Sequence, residues 1–137
     1  MAPPRLLLDT NILIASAYAS SSASRWIVDG CLEGRFQAVM TLAVQREYER
    51  IGHAALKRPE QLARLSELLD SARLVEPVPT RRVVPDDPDD DKFVAAALSG
   101  SVDVLISNDQ HLLDLDGFES IRVLRPGRFR DEWEEED

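Results

Sequence analysis

Three polar side chains follow the first apolar run of this chain. The run Leu6–Leu8 leads directly into Asp9, Thr10 and Asn11. In open α/β sheets, ligands bind just beyond the carboxyl ends of the strands. A strand that ends in a carboxylate, a hydroxyl and an amide therefore predicts one edge of an active site. The same residue types also favour helix N-caps, so a capping role stays open for this tripeptide.

A later segment repeats the arrangement. The apolar run from Val102 to Ile106 ends in Ser107, Asn108 and Asp109, again a hydroxyl and an acid after a strand. If both strands belong to one parallel sheet, their carboxyl ends meet at the same edge. We therefore expect Asp9 and Asp109 to lie near each other.

Two further acids fall on predicted helices that can reach this edge. Glu47 lies in the helix after the second strand, and Asp91 lies in the first turn of the helix before Val102. Each also has a simpler interpretation. Glu47 could pair with Arg46 or Arg50 of its own helix, and Asp91 could be a helix-start acid favoured by the helix dipole. Asp109, likewise, could be only a cap.

Carboxylates that converge need a cation between them. Two of them about 4 Å apart repel by roughly 4 kcal/mol at an effective dielectric of 20. Four together would protonate or move apart, whereas a hard divalent cation with oxygen ligands makes the arrangement favourable. Mg²⁺ or Mn²⁺ suits such a set.

The elements that must position these acids alternate between strands and helices. Helices between consecutive strands are typical of crossover connections and a parallel sheet. The predicted fold class is therefore α/β, a three-layer α/β/α arrangement with a central parallel sheet. The predicted strands are Arg5–Leu8, Phe36–Met40, Leu74–Val75, Val102–Ile106 and Ile121–Leu124, and the predicted helices are Asn11–Tyr18, Arg25–Glu33, Thr41–Ile51 closed by Gly52, Pro59–Asp70, Asp91–Ser99 and Asp109–Leu115.

Composition bounds the class of protein. The 137 residues predict one domain over residues 2–130 and an acidic C-terminal tail over residues 131–137. The net charge of −9 argues against a nucleic-acid partner, but eleven acids lie in residues 86–91 and 131–137, which leaves 14 acidic against 16 basic residues elsewhere. The chain has a single cysteine, Cys31, and neither a signal peptide nor a membrane span is evident, which predicts a cytoplasmic protein. Cys31 is expected to be a thiol of the core or its boundary.

Taken together, the motifs resemble those of PIN-domain proteins. The matching segments are Leu8–Ile14, then Glu47, then Asp87–Ala97, then Ile106–Asp109, and the resemblance extends from Leu6 to about Phe129. Within that superfamily the chain is similar to VapC-like toxin components of bacterial toxin–antitoxin systems.

The resemblance implies a parallel α/β fold and metal-dependent cleavage of RNA phosphodiester bonds. It also implies an antitoxin partner and a homodimer. The family's catalytic, metal-binding acids fall here on Asp9, Glu47, Asp91 and Asp109, with Asn11 and Ser107 at its supporting polar positions.

Two positions depart from the family pattern. Ser107 stands where many members have Thr, a change that keeps the hydroxyl, and His111 stands where many members have another acid. We expect His111 to be exposed, since the predicted ligand set is all oxygen. Basic residues near the acids in sequence are candidates for holding the nucleic-acid backbone, namely Arg46, Arg81, Arg82 and Lys92.

Three other functions stay open at this stage. A haloacid-dehalogenase-type phosphatase needs a second Asp where Asn11 stands, and a response-regulator receiver needs a Lys at a strand end that the sequence lacks. The third alternative is a catalytically silent PIN-like module that only binds other proteins. The presence of all four acids argues against it.

Overall fold

The computed structural model describes residues 2–77 and 91–134, with the side chain of Asp91 outside the description. Its five strands form one parallel sheet in the order β3-β2-β1-β4-β5. Helices between the strands give an α/β three-layer fold, which confirms the predicted class. The strands are β1 (Arg5–Leu8), β2 (Gln37–Met40), β3 (Arg73–Leu74), β4 (Val104–Ile106) and β5 (Arg122–Leu124). The helices are α1 (Thr10–Tyr18), α2 (Ala23–Leu32), α3 (Leu42–Ala55), α4 (Pro59–Ser71), α5 (Asp91–Ser99), α6 (Gln110–Leu113) and α7 (Pro126–Trp133).

The strand order explains where a site can form. From β1 the chain continues to β2 on one side, and later it crosses back to place β4 on the other side of β1. The carboxyl ends of β1 and β4 therefore flank the point at which the strand order reverses, and such a point opens a crevice for ligands. The two strands pair in register, with Leu8 opposite Ile106. This pairing confirms that Asp9 and the segment after Ile106 share one edge.

Apart from Arg5 and Gln37 at their first positions, the central strands β1, β2 and β4 are apolar, as sheets covered on both faces require. Leu6 and Leu7 are fully buried, and so is Ile106 of β4. Cys31 belongs to the same core, where burial raises the pKa of its thiol to about 12. The expectation of a core thiol is confirmed.

The end of the helix after β2 was predicted wrongly. Gly52 was expected to end the helix that follows β2, but α3 continues to Ala55. The glycine instead lets α4 approach closely, because a Cβ at this position would lie 2.5 Å from a methyl carbon of Leu65. From the sequence alone, a glycine that allows two helices to pack closely cannot be distinguished from a glycine that ends a helix.

Helix α7 was missed altogether, although it begins at Pro126, a residue that favours the first turn of a helix. It includes residues 131–133 of the predicted acidic tail, and Glu132 there pairs with Arg122 at 3.0 Å. The acidic cluster of residues 86–90 and the last three residues lie outside the described part of the chain. Among the described helices, none has the length and apolar character needed to cross a membrane.

Candidate active site at the carboxyl edge of the sheet

Asp9 is held at the end of β1 by a side chain from the neighbouring strand. It occupies the N-cap position of α1, but its carboxylate makes no capping hydrogen bond. Instead the hydroxyl of Ser107 donates to Asp9 Oδ2 at 2.7 Å. Asp9 is only 8% exposed. The capping interpretation is therefore wrong for Asp9, whose carboxylate is held toward β4.

Ser107 connects the two strand ends. It is fully buried directly after β4, and its oxygen also accepts a hydrogen bond from the backbone N–H of Asp109 at 2.9 Å. A single hydroxyl thus fixes both the Asp9 carboxylate and the backbone that carries Asp109. Ser107 therefore lies beside Asp9, and its supporting role in a catalytic site stays a prediction.

Glu47 reaches the same edge from α3. Its carboxylate pairs with Lys92 Nζ at 2.8 Å and also accepts a hydrogen bond from the Thr10 hydroxyl. The Glu47 side chain is 14% exposed. The alternative that Glu47 pairs with Arg46 or Arg50 of its own helix is wrong.

Asp109 combines two roles. It is the N-cap of α6, with Oδ1 accepting from the backbone N–H of His111 at 2.9 Å, which confirms the capping interpretation. It also faces the cleft described below. The His111 side chain is 46% exposed and its Nδ1 lies 3.6 Å from Asp109 Oδ1, so the expected exposure of His111 is confirmed.

These side chains line an open cleft of about 230 Å³, which we call the carboxylate cleft. Helix α5 begins at Asp91, and Phe93 of its first turn contributes to the wall. The structure thus brings three of the four predicted acids together, while the Asp91 side chain lies outside the described residues. The lining residues are Asp9, Thr10, Asn11, Glu47, Ile51, Phe93 and Asp109.

The electrostatics of the cleft disfavour a negative charge on Asp9. Burial raises the pKa of Asp9 above its ordinary value of 3.8, and the nearby charges of Asp109 and Glu47 raise it further. The hydrogen bond from Ser107 lowers the pKa without offsetting these effects. In the described part of the chain, no Lys, Arg or His lies within ion-pair distance of Asp9. A cation bound beside Asp9 would relieve this imbalance.

The chemistry of the donors suits a hard divalent cation, because Asp9, Glu47 and Asp109 offer carboxylate oxygens only. Across residues 2–77 and 92–134, however, no three His, Cys, Asp or Glu side chains form a ready-made metal centre. Lys92 already neutralises Glu47. A bound ion therefore requires the Asp91 carboxylate or a rearrangement around Glu47.

Three residues shape this edge in ways that the sequence did not indicate: Thr10 was placed at the edge without a partner, and Tyr48 and Arg125 were given no role. Thr10 orients Glu47, and the buried Tyr48 donates its hydroxyl hydrogen to the carbonyl of Leu8 behind Asp9. Burial, followed by the charge of Asp9, raises the pKa of Tyr48 well above its ordinary value. Arg125 follows β5, and its guanidinium donates to the carbonyl of Asn108 at 3.2 Å. Arg125 is a polar residue directly after a strand, which is the signal that could have found it.

The four basic residues that were predicted to hold the nucleic-acid backbone lie in different surroundings. Arg46 is exposed on α3, whereas Lys92 is engaged by Glu47. Arg81 and Arg82 lie outside the described residues.

Ser107→Ala is expected to destabilise the protein by about 1–3 kcal/mol, because it removes a buried hydroxyl that serves two partners. The pKa of Asp9 should rise further, since its hydrogen bond from Ser107 is lost. Urea unfolding measures the first effect, and NMR titration of the Asp9 carboxyl carbon measures the second. Ser66→Ala, at an exposed position of α4, is the matched control. Equal stability of the two variants would contradict the role assigned to Ser107.

With this geometry in hand, comparison with known proteins gives one family. A sequence model described as a PIN domain matches residues 5–111. No curated protein sequence matches the chain.

Solved structures share the fold at low sequence identity. VapBC2 from Rickettsia felis, bound to a DNA fragment from their promoter, gives a TM-score of 0.58 at 10% identity, covering 87% of this chain and 96% of that chain. PAE2754 from Pyrobaculum aerophilum gives a TM-score of 0.55 at 19% identity, covering 88% and 91%. The T. brucei RRP44 PIN domain gives 0.55 at 16% identity, covering 95% and 81%. At these identities the likeness is one of fold.

Proposed function

The chain belongs to the PIN domain family, and on that premise we propose that it is a metal-dependent endoribonuclease that hydrolyses RNA phosphodiester bonds. PIN domains are generally nucleases, so the class of reaction follows from the family. The choice of RNA and of a divalent metal is our proposal. It rests on the carboxylate cleft at the sheet edge.

One observation carries the proposal. Asp9 is a buried carboxylate at the switch point of the sheet, with two further acids beside it and no cation paired to it among the described residues. A purely structural acid at this position would cap α1 or pair with a cation, since buried charges are normally paired. An acid held unpaired at a ligand-binding edge suits a site that receives its cation from outside.

The proposed ligands of Mg²⁺ or Mn²⁺ are Asp9, Glu47, Asp91 and Asp109. Bound there, the ion supplies Lewis acidity, neutralising charge on the scissile phosphate and lowering the pKa of the attacking water. The chain's own polar groups orient the ligands. Ser107 holds Asp9, Thr10 holds Glu47, and Asn11 lines the cleft as an uncharged donor toward the substrate.

The biological setting is proposed from the sequence resemblance, with the fold likeness to VapBC2 in support. We assign the chain as the toxin of a bacterial toxin–antitoxin pair, with an antitoxin protein as partner. A cytoplasmic location and a homodimer belong to the same proposal, as does a catalytic domain over residues 2–130 whose last helix, α7, continues into the acidic tail of residues 131–137.

The experiment that tests this function is a cleavage assay on the purified chain. Single-stranded RNA and DNA of one sequence are incubated with millimolar Mg²⁺, with Mn²⁺ or with a chelator. We expect endonucleolytic cleavage of RNA that the chelator abolishes. Cleavage that persists with the chelator would contradict metal dependence, and no cleavage under any condition would favour the silent, protein-binding alternative.

Metal binding is also expected to stabilise the folded chain, because the ion offsets the charge gathered in the carboxylate cleft. At about 100 times the dissociation constant, the free energy of unfolding should rise by about 2.7 kcal/mol. Thermal unfolding with increasing Mn²⁺ measures this shift. Asp9→Asn should lose it, whereas Asp70→Asn, at an exposed position of α4, should keep it. A melting temperature that stays constant across millimolar Mn²⁺ would count against the metal site.

A further inference from the structure

A second cleft lies near the C-terminal ends of α1 and α3, the two helices that carry Thr10 and Glu47 of the carboxylate cleft. It has a volume of about 290 Å³ and is lined by Ala17, Tyr18, Lys57, Arg58 and Gln61. We call it the Tyr18 cleft. Its floor is fixed by Gln61, which is only 9% exposed and accepts a hydrogen bond from the backbone N–H of Arg58 at 3.3 Å.

Tyr18 presents its ring to solvent in a fixed position. The side chain is 62% exposed, the largest exposure among the exposed large apolar side chains of the described residues. Its hydroxyl donates to the carbonyl of Ala55 at 2.7 Å, which anchors the ring across the ends of α1 and α3. An exposed, anchored aromatic ring offers a stacking platform at low entropic cost.

Two basic side chains border the cleft beside this ring, and three more lie along α3. Lys57 and Arg58 border the Tyr18 cleft, and Arg46, Arg50 and His53 recur at spacings that place them on one exposed face of α3. None of these five side chains forms an ion pair within the described part of the chain. The acids of the same stretch are Glu47, which pairs with Lys92, together with Glu49 and Glu60. The net charge of the chain is −9, so this basic surface is a local concentration of positive charge. Such a surface favours the binding of a polyanion.

The two clefts are connected along one helix pair. Thr10 contacts Glu47 at one end of the pair, and Tyr18 contacts Ala55 at the other end. In each helix the two contacts are eight residues apart, which corresponds to about 12 Å at 1.5 Å per residue. A single strand that enters the carboxylate cleft can therefore reach the Tyr18 cleft within a few nucleotides.

We propose that the Tyr18 cleft and the basic face of α3 bind the single-stranded RNA that leads into the carboxylate cleft. Tyr18 stacks on an unpaired base, and Lys57, Arg58 and Arg50 contact the phosphates beside it. This inference rests on the proposed function for its choice of RNA. An acidic segment of a partner protein is the competing occupant, and the continuity with the carboxylate cleft favours RNA.

Binding is tested separately from cleavage. Fluorescence anisotropy with a fluorescein-labelled oligouridine is measured on the full chain in the presence of a chelator, at several salt concentrations. We expect Tyr18→Ala to weaken binding about tenfold, since stacking on one base accounts for such a factor. Tyr18→Phe keeps the ring but loses the hydrogen bond to Ala55, so its binding should lie between that of the parent protein and that of Tyr18→Ala.

The charge contribution has its own variant and control. Arg50→Glu combined with Lys57→Glu should weaken binding at low salt and reduce the slope of log Kd against log salt by about 2. Arg73→Glu combined with Arg128→Glu changes the charge equally at exposed positions elsewhere, and it should leave the slope unchanged. An equal loss in both pairs would overturn the proposal, because only net charge would then matter.

A measurement on the unmodified protein tests the same surface without relying on variants that could misfold. Photocrosslinking of RNA that carries 4-thiouridine should label the peptide containing Tyr18, and labelling confined to other peptides would overturn the proposal. The proposal would also be overturned if Tyr18→Ala bound RNA as the parent protein does but lost binding to a labelled oligoglutamate peptide. That result would indicate that the surface binds an acidic segment of a protein. RNA binding that depends on Tyr18 in a chain without nuclease activity would support this surface and refute only the proposed function.

Discussion

Asp9→Asn is expected to lower the rate of RNA cleavage by at least about 100-fold while leaving the fold intact. The asparagine keeps an oxygen that can accept the hydrogen bond from Ser107, but it removes the charge that would hold a divalent cation. Losses of this size are typical when a preorganised electrostatic group is removed from an active site. Initial rates on labelled RNA at saturating Mn²⁺ measure the effect.

The control for this variant is Asp70→Asn, which makes the same chemical change at an exposed position of α4. Its cleavage rate should match that of the parent protein. Undiminished cleavage by a carefully purified Asp9→Asn protein would falsify the assignment of the site. A matched loss in both variants would contradict a specific role for Asp9, because removing an exposed acid should not weaken the binding of RNA.

The same substitution should stabilise the metal-free protein by about 1 kcal/mol at neutral pH, a few degrees in Tm. The pKa of Asp9 is raised in the fold, so its contribution to stability is fully present below about 3.8 and is lost as the pH rises through the raised pKa. The neutral amide of the variant does not titrate and carries no such dependence. The stability difference between the two proteins should therefore be small at low pH and grow toward neutrality. Urea unfolding at several pH values, with a chelator present, measures it, and a difference that shrinks as the pH rises would contradict the burial of this charge.

Phe129→Ala is expected to cost about 3–5 kcal/mol of unfolding free energy, because it leaves a large cavity in the core. The Phe129 ring is fully buried, contacts Phe36 edge to face at 5.2 Å and stacks on Trp133 at 4.4 Å between ring centroids. A small domain has only about 5–15 kcal/mol of stability in total. The midpoint of urea unfolding should fall accordingly.

Leu74→Ala is the control, since Leu74 is 56% exposed and its truncation should change stability by less than about 0.5 kcal/mol. A loss below about 1 kcal/mol for Phe129→Ala would show that α7 is not part of the cooperative core.

The same packing affects any shortening of the chain. Truncation after Arg130 removes Trp133 together with the acids, so it is expected to destabilise the domain.

The fold and the location of the site followed from local features of the sequence. Apolar runs between helical segments predict a parallel sheet, and a strand's direction decides at which edge its last residue lies. Asp9 and Asp109 could therefore be placed together from sequence, and the pairing of Leu8 with Ile106 confirms it. Helix α7 was not predicted, because its few apolar residues, such as Phe129, lie among charged residues and give only a weak periodic pattern.

The roles of the individual carboxylates were decided by the tertiary structure. Asp9 and Asp109 have the same sequence signal, yet Asp109 caps α6 whereas Asp9 bonds to Ser107, 98 positions away. Glu47 has arginines on its own helix and pairs instead with Lys92, 45 positions away. Sequence determines which residues end a strand or begin a helix, because those preferences act between near neighbours. The partner of a charge depends on which distant side chains the fold brings within a few ångströms, and only the packed structure fixes that.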